Sequence, residues 1–222
     1  MAQWGFRDPA GTGRSLCAQF VDELPITGAA VSVFGTAVPE TTVCASDDLA
    51  ARLDDMQYDL GEGPRWLAVR TRRPVLLPHV RTTEHPAWPV YGTALLETAV
   101  EALFVFPLIV GAIDVGVVEL YSLSPGSLDR VDQARAASLA DRVAWTLLDR
   151  ILSLDDELRQ GNPDLSPLSR REIHQATGMV LVQLGITPTE ALMRLRAHAF
   201  AHDVSVRQVA HEVVAKTLVL SP

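Results

Sequence analysis

Residues Ala102–Tyr121 read ALFVFPLIVGAIDVGVVELY, and this stretch decides the fold. Two apolar runs rich in β-branched and aromatic residues, Ala102 to Val110 and Ile113 to Tyr121, flank Gly111-Ala112. Such runs around a short glycine-bearing connection read as a β-hairpin. Neither run alternates with polar residues, so both faces of the hairpin need covering. The expectation is a hairpin at the centre of a sheet with helices on it.

Upstream, Ala29 to Phe34 (AAVSVF), Thr41 to Ala45 (TTVCA) and Val75 to Leu77 supply three further short strands. Helices are expected over Gly13–Leu24, in the first part of Asp47–Gly63, over Arg65–Thr71 after Pro64, and over Ala87–Ala99. His79 to Pro89 reads as a loop. Asp129 opens a long helix whose apolar positions Leu139, Val143, Leu147, Ile151, Leu154 and Leu158 recur every three or four residues. At 1.5 Å per residue a helix to Arg159 is ~46 Å long and outruns a small sheet. The projecting seam is expected to pair with a second copy as a coiled coil.

Composition narrows the function classes. The chain of 222 residues is 48% apolar and 21% charged, which excludes a mostly disordered protein. The longest apolar run, Ala102 to Ile113, is twelve residues interrupted by Pro107. A membrane-spanning helix needs about twenty, so none is expected. The N-terminus lacks the basic-then-apolar layout of a signal peptide, and the chain reads as cytoplasmic. Cys17 and Cys44 are too few for a disulfide framework or a multi-cysteine zinc site. Both are expected to be small, buried and inert. Residues 1–159 carry 13 Arg against 22 acids, whereas residues 160–222 carry 6 basic residues against 5 acids and four of the six His. Any surface for a polyanion therefore belongs in the tail.

Gln160 to Pro167 (QGNPDLSP) is a linker by composition. Beyond it Ser169, Thr187 and Ser205 each precede Glu172, Glu190 or Gln208 by three residues, the capping-box pattern, so three helices follow. Their core stripes are Ile173, Ala176, Val180 and Leu184; Ala191, Leu192, Leu195 and Ala199; and Val206, Val209, Ala210 and Val213.

The stretches LGEGPRWLAVRTRRPVLLPHV (Leu60–Val80), HPAWPVYGTAL (His85–Leu95) and FPLIVGAIDVGVVELYSLSPGSL (Phe106–Leu128) resemble the GAF sensory domain in its actinobacterial form. The stretch SRREIHQATGMVLVQLGITPTEALMRLRAHAFAHDVSVRQVAHEVV (Ser169–Val214) resembles the ANTAR domain, the RNA-binding output module of transcription antiterminators. It keeps Ala176, Gly178, Glu190-Ala191, Leu195, Arg196, Ala199 and Arg207…Val209-Ala210 at the family spacing. The resemblance implies an α+β chain: an N-terminal extension (1–12), a GAF-like antiparallel sheet flanked by helices (13–128), a long coiled-coil helix (129–160) and a three-helix ANTAR domain (161–222). It implies a homodimer that binds paired RNA hairpins, under the control of a small-molecule signal.

Candidate RNA contacts are Arg170, Arg171, His174, Gln175, Thr177 and Gly178 on the first tail helix, with Arg196 and Arg207 beyond; Arg194 and Lys216 are weaker ones. Arginine suits phosphates, and planar or amide side chains suit splayed bases. Gly178 in mid-helix costs about 1 kcal/mol relative to Ala, which is reasonable where a backbone or nucleotide approaches closely. Many family members have Lys in place of Thr177, so one phosphate contact is missing here.

Candidate pocket residues in the sensor half are Trp66, Trp88, Tyr91 and Tyr121, with Phe104 and Phe106 assigned to the core. One Asn and one Lys in the whole chain disfavour a cyclic nucleotide. His79 and His85 are expected as surface imidazoles rather than haem ligands, and no cofactor or metal is expected. Asp47-Asp48, Asp54-Asp55 and Asp155-Asp156 are adjacent pairs, which face different ways and make no acid/base couple. With no catalytic motif present, the chain reads as non-enzymatic. A second reading is a ligand-binding or protein-interaction module whose tail dimerises or docks without RNA. A third, a helix-turn-helix DNA binder, finds few base-reading side chains after Val206-Arg207-Gln208.

Overall fold

The computed structural model describes residues 16–34, 40–83, 85–159, 171–202 and 204–220, except for the side chains of 153–159 and 171. The chain divides into two compact units, Met1–Ser166 and Pro167–Pro222. The first runs α1 (Ala18–Glu23), β1 (Gly28–Val33), β2 (Thr41–Ala45), α2 (Asp48–Leu60), α3 (Pro64–Thr71), β3 (Val75–Leu77), α4 (Pro89–Leu96), β4 (Ala102–Val110), β5 (Ile113–Ser122) and α5 (Arg130–Arg159). Its five strands form one antiparallel sheet in the order β2-β1-β5-β4-β3. The β4–β5 hairpin lies inside it with Phe106 opposite Val118.

Alternation along the strands divides the core in two. Phe104, Phe106, Leu108, Val118 and Leu120 join α1 and α5 in one cluster. Leu103, Val105, Val117 and Tyr121 join α2, α3 and α4 in the other. Apart from Asp114 and Glu119 the hairpin is thus apolar on both faces, because helices cover both. Phe104 and Phe106 are core residues.

The strands at Thr41–Ala45, Val75–Leu77 and Ala102–Val110 have the expected bounds. Helix α4 is shorter than Ala87–Ala99. Pro89 fits the first helical position, and the Thr98 hydroxyl donates to the Leu95 carbonyl (2.7 Å) where the helix ends. The expectation of two separate inert thiols is wrong: Cys17 and Cys44 form a disulfide. Strand pairing sets Cys44 opposite Val31 on β1, and α1 leads back over the same face of the sheet. The two Cα atoms end 6.0 Å apart, within bridging range, despite 27 residues of intervening chain.

Along α5, Leu139, Val143 and Leu147 are buried against the sheet and Ile151 is half-buried. The first part of the expected coiled-coil seam is therefore occupied by the helix's own domain. Leu154 and Leu158 lie outside the described side chains. What α5 exposes is a different strip, Trp145 (62%) and Leu152 (58%), with half-buried Leu148 between them.

The second unit contains α6 (Arg171–Leu184), α7 (Pro188–Ala201) and α8 (Val206–Val214). All three expected stripes face inward, with only Leu184 and Leu192 half-buried rather than buried. Thr187 and Glu190 make a full capping box; Glu190 accepts from the Thr187 backbone N–H and hydroxyl, which lowers its pKa. Ser205 makes half of one, because Gln208 turns its amide to Glu212 instead. Ser169 lies outside the described residues, as does the 1–12 extension.

Candidate sensor pocket and nucleic-acid face

The layer between the sheet and α2–α4 is polar at its centre. Arg65, on the first turn of α3, is wholly buried. Its guanidinium meets Asp54 of α2 (2.5 Å), Glu119 of β5 (3.2 Å) and Glu40 (3.3 Å). Asp54 also accepts from the Ser32 and Thr42 hydroxyls, both at 2.5 Å. Gln57 closes the network: its amide N–H donates to Glu119 (2.6 Å), and its amide oxygen accepts from the Arg65 backbone N–H (2.9 Å). Burial alone would lower the Arg65 pKa, but Asp54, Glu119 and Glu40 outweigh it and hold the guanidinium above its ordinary value. Tyr91 is buried beside this cluster with no hydrogen-bond partner for its hydroxyl. Burial and the nearby Glu119 push its pKa up.

Outside this layer, the α2–α3 turn, α3 and the approach to α4 enclose a pocket of about 180 Å³. Trp66, Trp88, Leu67, Arg70 and Glu62 line it. Trp66 connects the two regions, because the Arg65 guanidinium lies 5.8 Å from its ring centroid. Its indole N–H donates to the Gln57 carbonyl (3.3 Å). Trp88 packs against His85 with ring centroids 6.0 Å apart, and its own N–H is buried without a partner, a cost of about 1–3 kcal/mol. Glu62 accepts from the backbone N–H groups of Val90 and Tyr91, so it caps α4 from a distant turn.

Of the four expected pocket residues, Trp66 and Trp88 meet there; Tyr91 and Tyr121 do not. Tyr91 belongs to the core beneath, and the Tyr121 hydroxyl donates to Asp47 (3.0 Å). Burial, followed by that hydrogen bond, raises the Tyr121 pKa to about 12. His79 is exposed as expected, but His85 is half-buried, its Nε2 3.3 Å from the Val80 carbonyl.

In the helical unit the expected contacts separate into free and engaged groups. Gln175 and Gly178 are exposed on one stripe of α6 that continues to Val182 (78% exposed). A Cβ at Gly178 would meet no atom within 4 Å, so packing inside the unit does not require glycine there. The Thr177 hydroxyl donates to the Ile173 carbonyl (2.7 Å). His174, Arg196 and Arg207 are half-buried, and each already holds an interaction within the chain. Arg194 and Lys216 are exposed. Arg170 and the Arg171 side chain lie outside what is described. On α7, Met193, Ala197 and Phe200 (70% exposed) form an apolar stripe that the sequence reading did not anticipate.

A family model described as GAF domain matches residues 7–147. The chain belongs to the GAF domain family. A second model, ANTAR domain, matches residues 167–214, so one chain joins a GAF sensor to an ANTAR output domain. Among solved structures, a domain of a putative two-component sensor histidine kinase protein from Sinorhizobium meliloti 1021 is similar at 16% identity, over 64% of this chain and 92% of that one, with a TM-score of 0.51. A GAF domain/HD domain protein from Geobacter sulfurreducens is similar at 12% identity, over 62% and 89%, with a TM-score of 0.48. At such identities the first likeness shows the fold alone. No curated protein matches the chain.

The polar centre of this GAF domain was missed at Arg65, Asp54, Gln57 and Glu119. One letter could have revealed it. Glu119 interrupts a strand otherwise apolar from Val115 to Tyr121, and a carboxylate buried there requires a partner. Arg70 and Glu62 carried no such mark, because each reads as an ordinary surface charge. No helix is long and apolar enough to cross a membrane, and no group of three or more His, Cys, Asp or Glu is arranged to hold a metal, among the described residues.

Proposed function

We propose that the protein is a non-enzymatic transcription antitermination regulator, in which a signal at the GAF domain controls binding of paired RNA hairpins by the ANTAR domain. The observation that carries this reading is the pairing of a GAF domain at residues 7–147 with an ANTAR domain at 167–214 in one chain. The exposed face of α6 supports it. Gln175 and Gly178 lie uncommitted on one stripe, and the glycine leaves room for an approaching nucleotide. Phe200 offers a ring on which an unpaired base can stack. Two copies joined through the Trp145–Leu148–Leu152 strip of α5 would present two such faces and double the contacts. For the GAF signal to act, it must bind the two arrangements of that dimer unequally.

The test is an electrophoretic binding assay on a two-hairpin RNA and a scrambled control, from low to moderate salt. Selective binding is expected, with Arg171→Ala and Arg207→Ala each weakening it roughly tenfold, about 1.4 kcal/mol. Gly178→Ala is expected to raise the melting stability of the helical unit by about 1 kcal/mol while lowering RNA affinity. A gain in both would mean that nothing approaches Gly178. The single surplus positive charge of residues 160–222 and the internally bonded Thr177 favour a second reading, a docking module without RNA. No selectivity at low salt, with or without a ligand that stabilises the GAF domain, would establish that reading instead.

A further inference from the structure

The pocket beside α3 has a composition that specifies a ligand. Its volume of about 180 Å³ falls below the ~300 Å³ at which drug-sized sites begin and close to the ~150 Å³ that accommodates benzene. A single ring with one small substituent fits it. Two indoles, Trp66 and Trp88, supply flat apolar walls that favour offset or edge-on contact with such a ring. Both are held in place from elsewhere in the domain: Trp66 by Arg65 and Gln57, Trp88 by His85.

The polar groups then determine the substituent. Glu62 is engaged by the first turn of α4, and the Trp66 N–H by a carbonyl. One cation of the pocket lining is left over: Arg70 is exposed and forms no ion pair with any described residue. It is both a donor and a positive charge, so the ligand that suits it accepts hydrogen bonds and carries negative charge. We propose that this pocket is the signal site of the GAF domain and takes a small aromatic carboxylate, an inference that rests on reading this domain as the sensor.

Isothermal titration calorimetry on the full chain tests this, with benzoate as the probe, benzyl alcohol as its neutral counterpart and cyclohexanecarboxylate as a non-planar acid. Benzoate is expected to bind saturably with a Kd on the order of 1 mM or tighter, and the other two at least tenfold more weakly. Arg70→Gln is expected to weaken benzoate about tenfold and to leave benzyl alcohol unchanged. No described residue pairs with Arg70, so this variant should melt with the parent chain. Benzoate binding that is absent, or that survives Arg70→Gln undiminished, would overturn the proposal. RNA binding measured on the same preparation separates the two readings. Benzoate failing while RNA binds defeats the site alone, and RNA failing while benzoate binds defeats the antiterminator alone.

Discussion

Replacing Arg65 with Met is expected to cost the GAF domain about 3–5 kcal/mol, the range for removing one partner from a buried ion pair. The side chain is wholly buried, and Asp54, Glu119 and Glu40 all lose their shared cation. For a unit of this size that corresponds to a fall in Tm of roughly 10 °C or more, readable by calorimetry. The loss should depend on pH in a definite direction. Without the guanidinium, a buried carboxylate is cheaper to hold protonated, so the variant's folded state binds protons more tightly than its unfolded state. Stability of the variant then falls as pH rises, and its deficit should be larger at pH 8 than at pH 5. Adding Glu119→Gln should recover part of it. Arg72→Met is the contrast: Arg72 pairs with Asp114 at 3.1 Å, but both side chains are about two-fifths exposed, and such pairs contribute under ~1 kcal/mol. Equal losses from the two variants would mean that the buried network has no special role in stability.

Gly116→Val is expected to be about as damaging, for a reason of backbone geometry. Gly116 sits on the central strand β5, opposite Val33 on one side and Leu108 on the other. A Cβ there would collide with the Ser32 carbonyl oxygen and come within 3.0 Å of the Val33 Cα. Both are backbone atoms of β1, and no rotamer relieves the clash. Either β1 moves off β5 or the hairpin bends, and forcing bulk into a packed site costs about 1–3 kcal/mol before any ladder hydrogen bonds are lost. The expected total is about 3 kcal/mol or more in denaturant midpoint, with hydrogen exchange accelerating at Val31 and Val33 before the β4 amides. A variant with parental stability would contradict the close β1–β5 approach at this residue.

The fold was legible wherever hydrophobic pattern and local turn chemistry agree. The β4–β5 hairpin, strands β2 and β3 and the three tail stripes all follow from period and punctuation. Long-range pairing is written in no local pattern. Cys17 and Cys44 lie in different elements, and only the sheet register brings them together. The same holds for Arg65, whose three carboxylate partners come from α2, β5 and the segment before β2. The seam of α5 was real but ambiguous: a stripe that repeats every three or four residues fits a sheet as well as a second helix. At the candidate sites, aromatic residues were found by type but not by depth. Trp66 and Trp88 reach the pocket, whereas Tyr91 and Tyr121 lie in the core, because an aromatic residue on an amphipathic helix or a buried strand looks the same in either role.

The Cys17–Cys44 bridge makes residues 17–44 a covalent ring that contains the whole of β1. Closing a loop of this length removes unfolded-state entropy equivalent to about 3–4 kcal/mol, a large share of what keeps an ordinary domain folded. The GAF domain therefore has two stabilities, one for each oxidation state, and a denaturation curve is defined only when the reductant is stated. A protease cut inside the ring would leave both fragments joined until a thiol is added. The order of nicking and reduction thus reads out which form a cell contains.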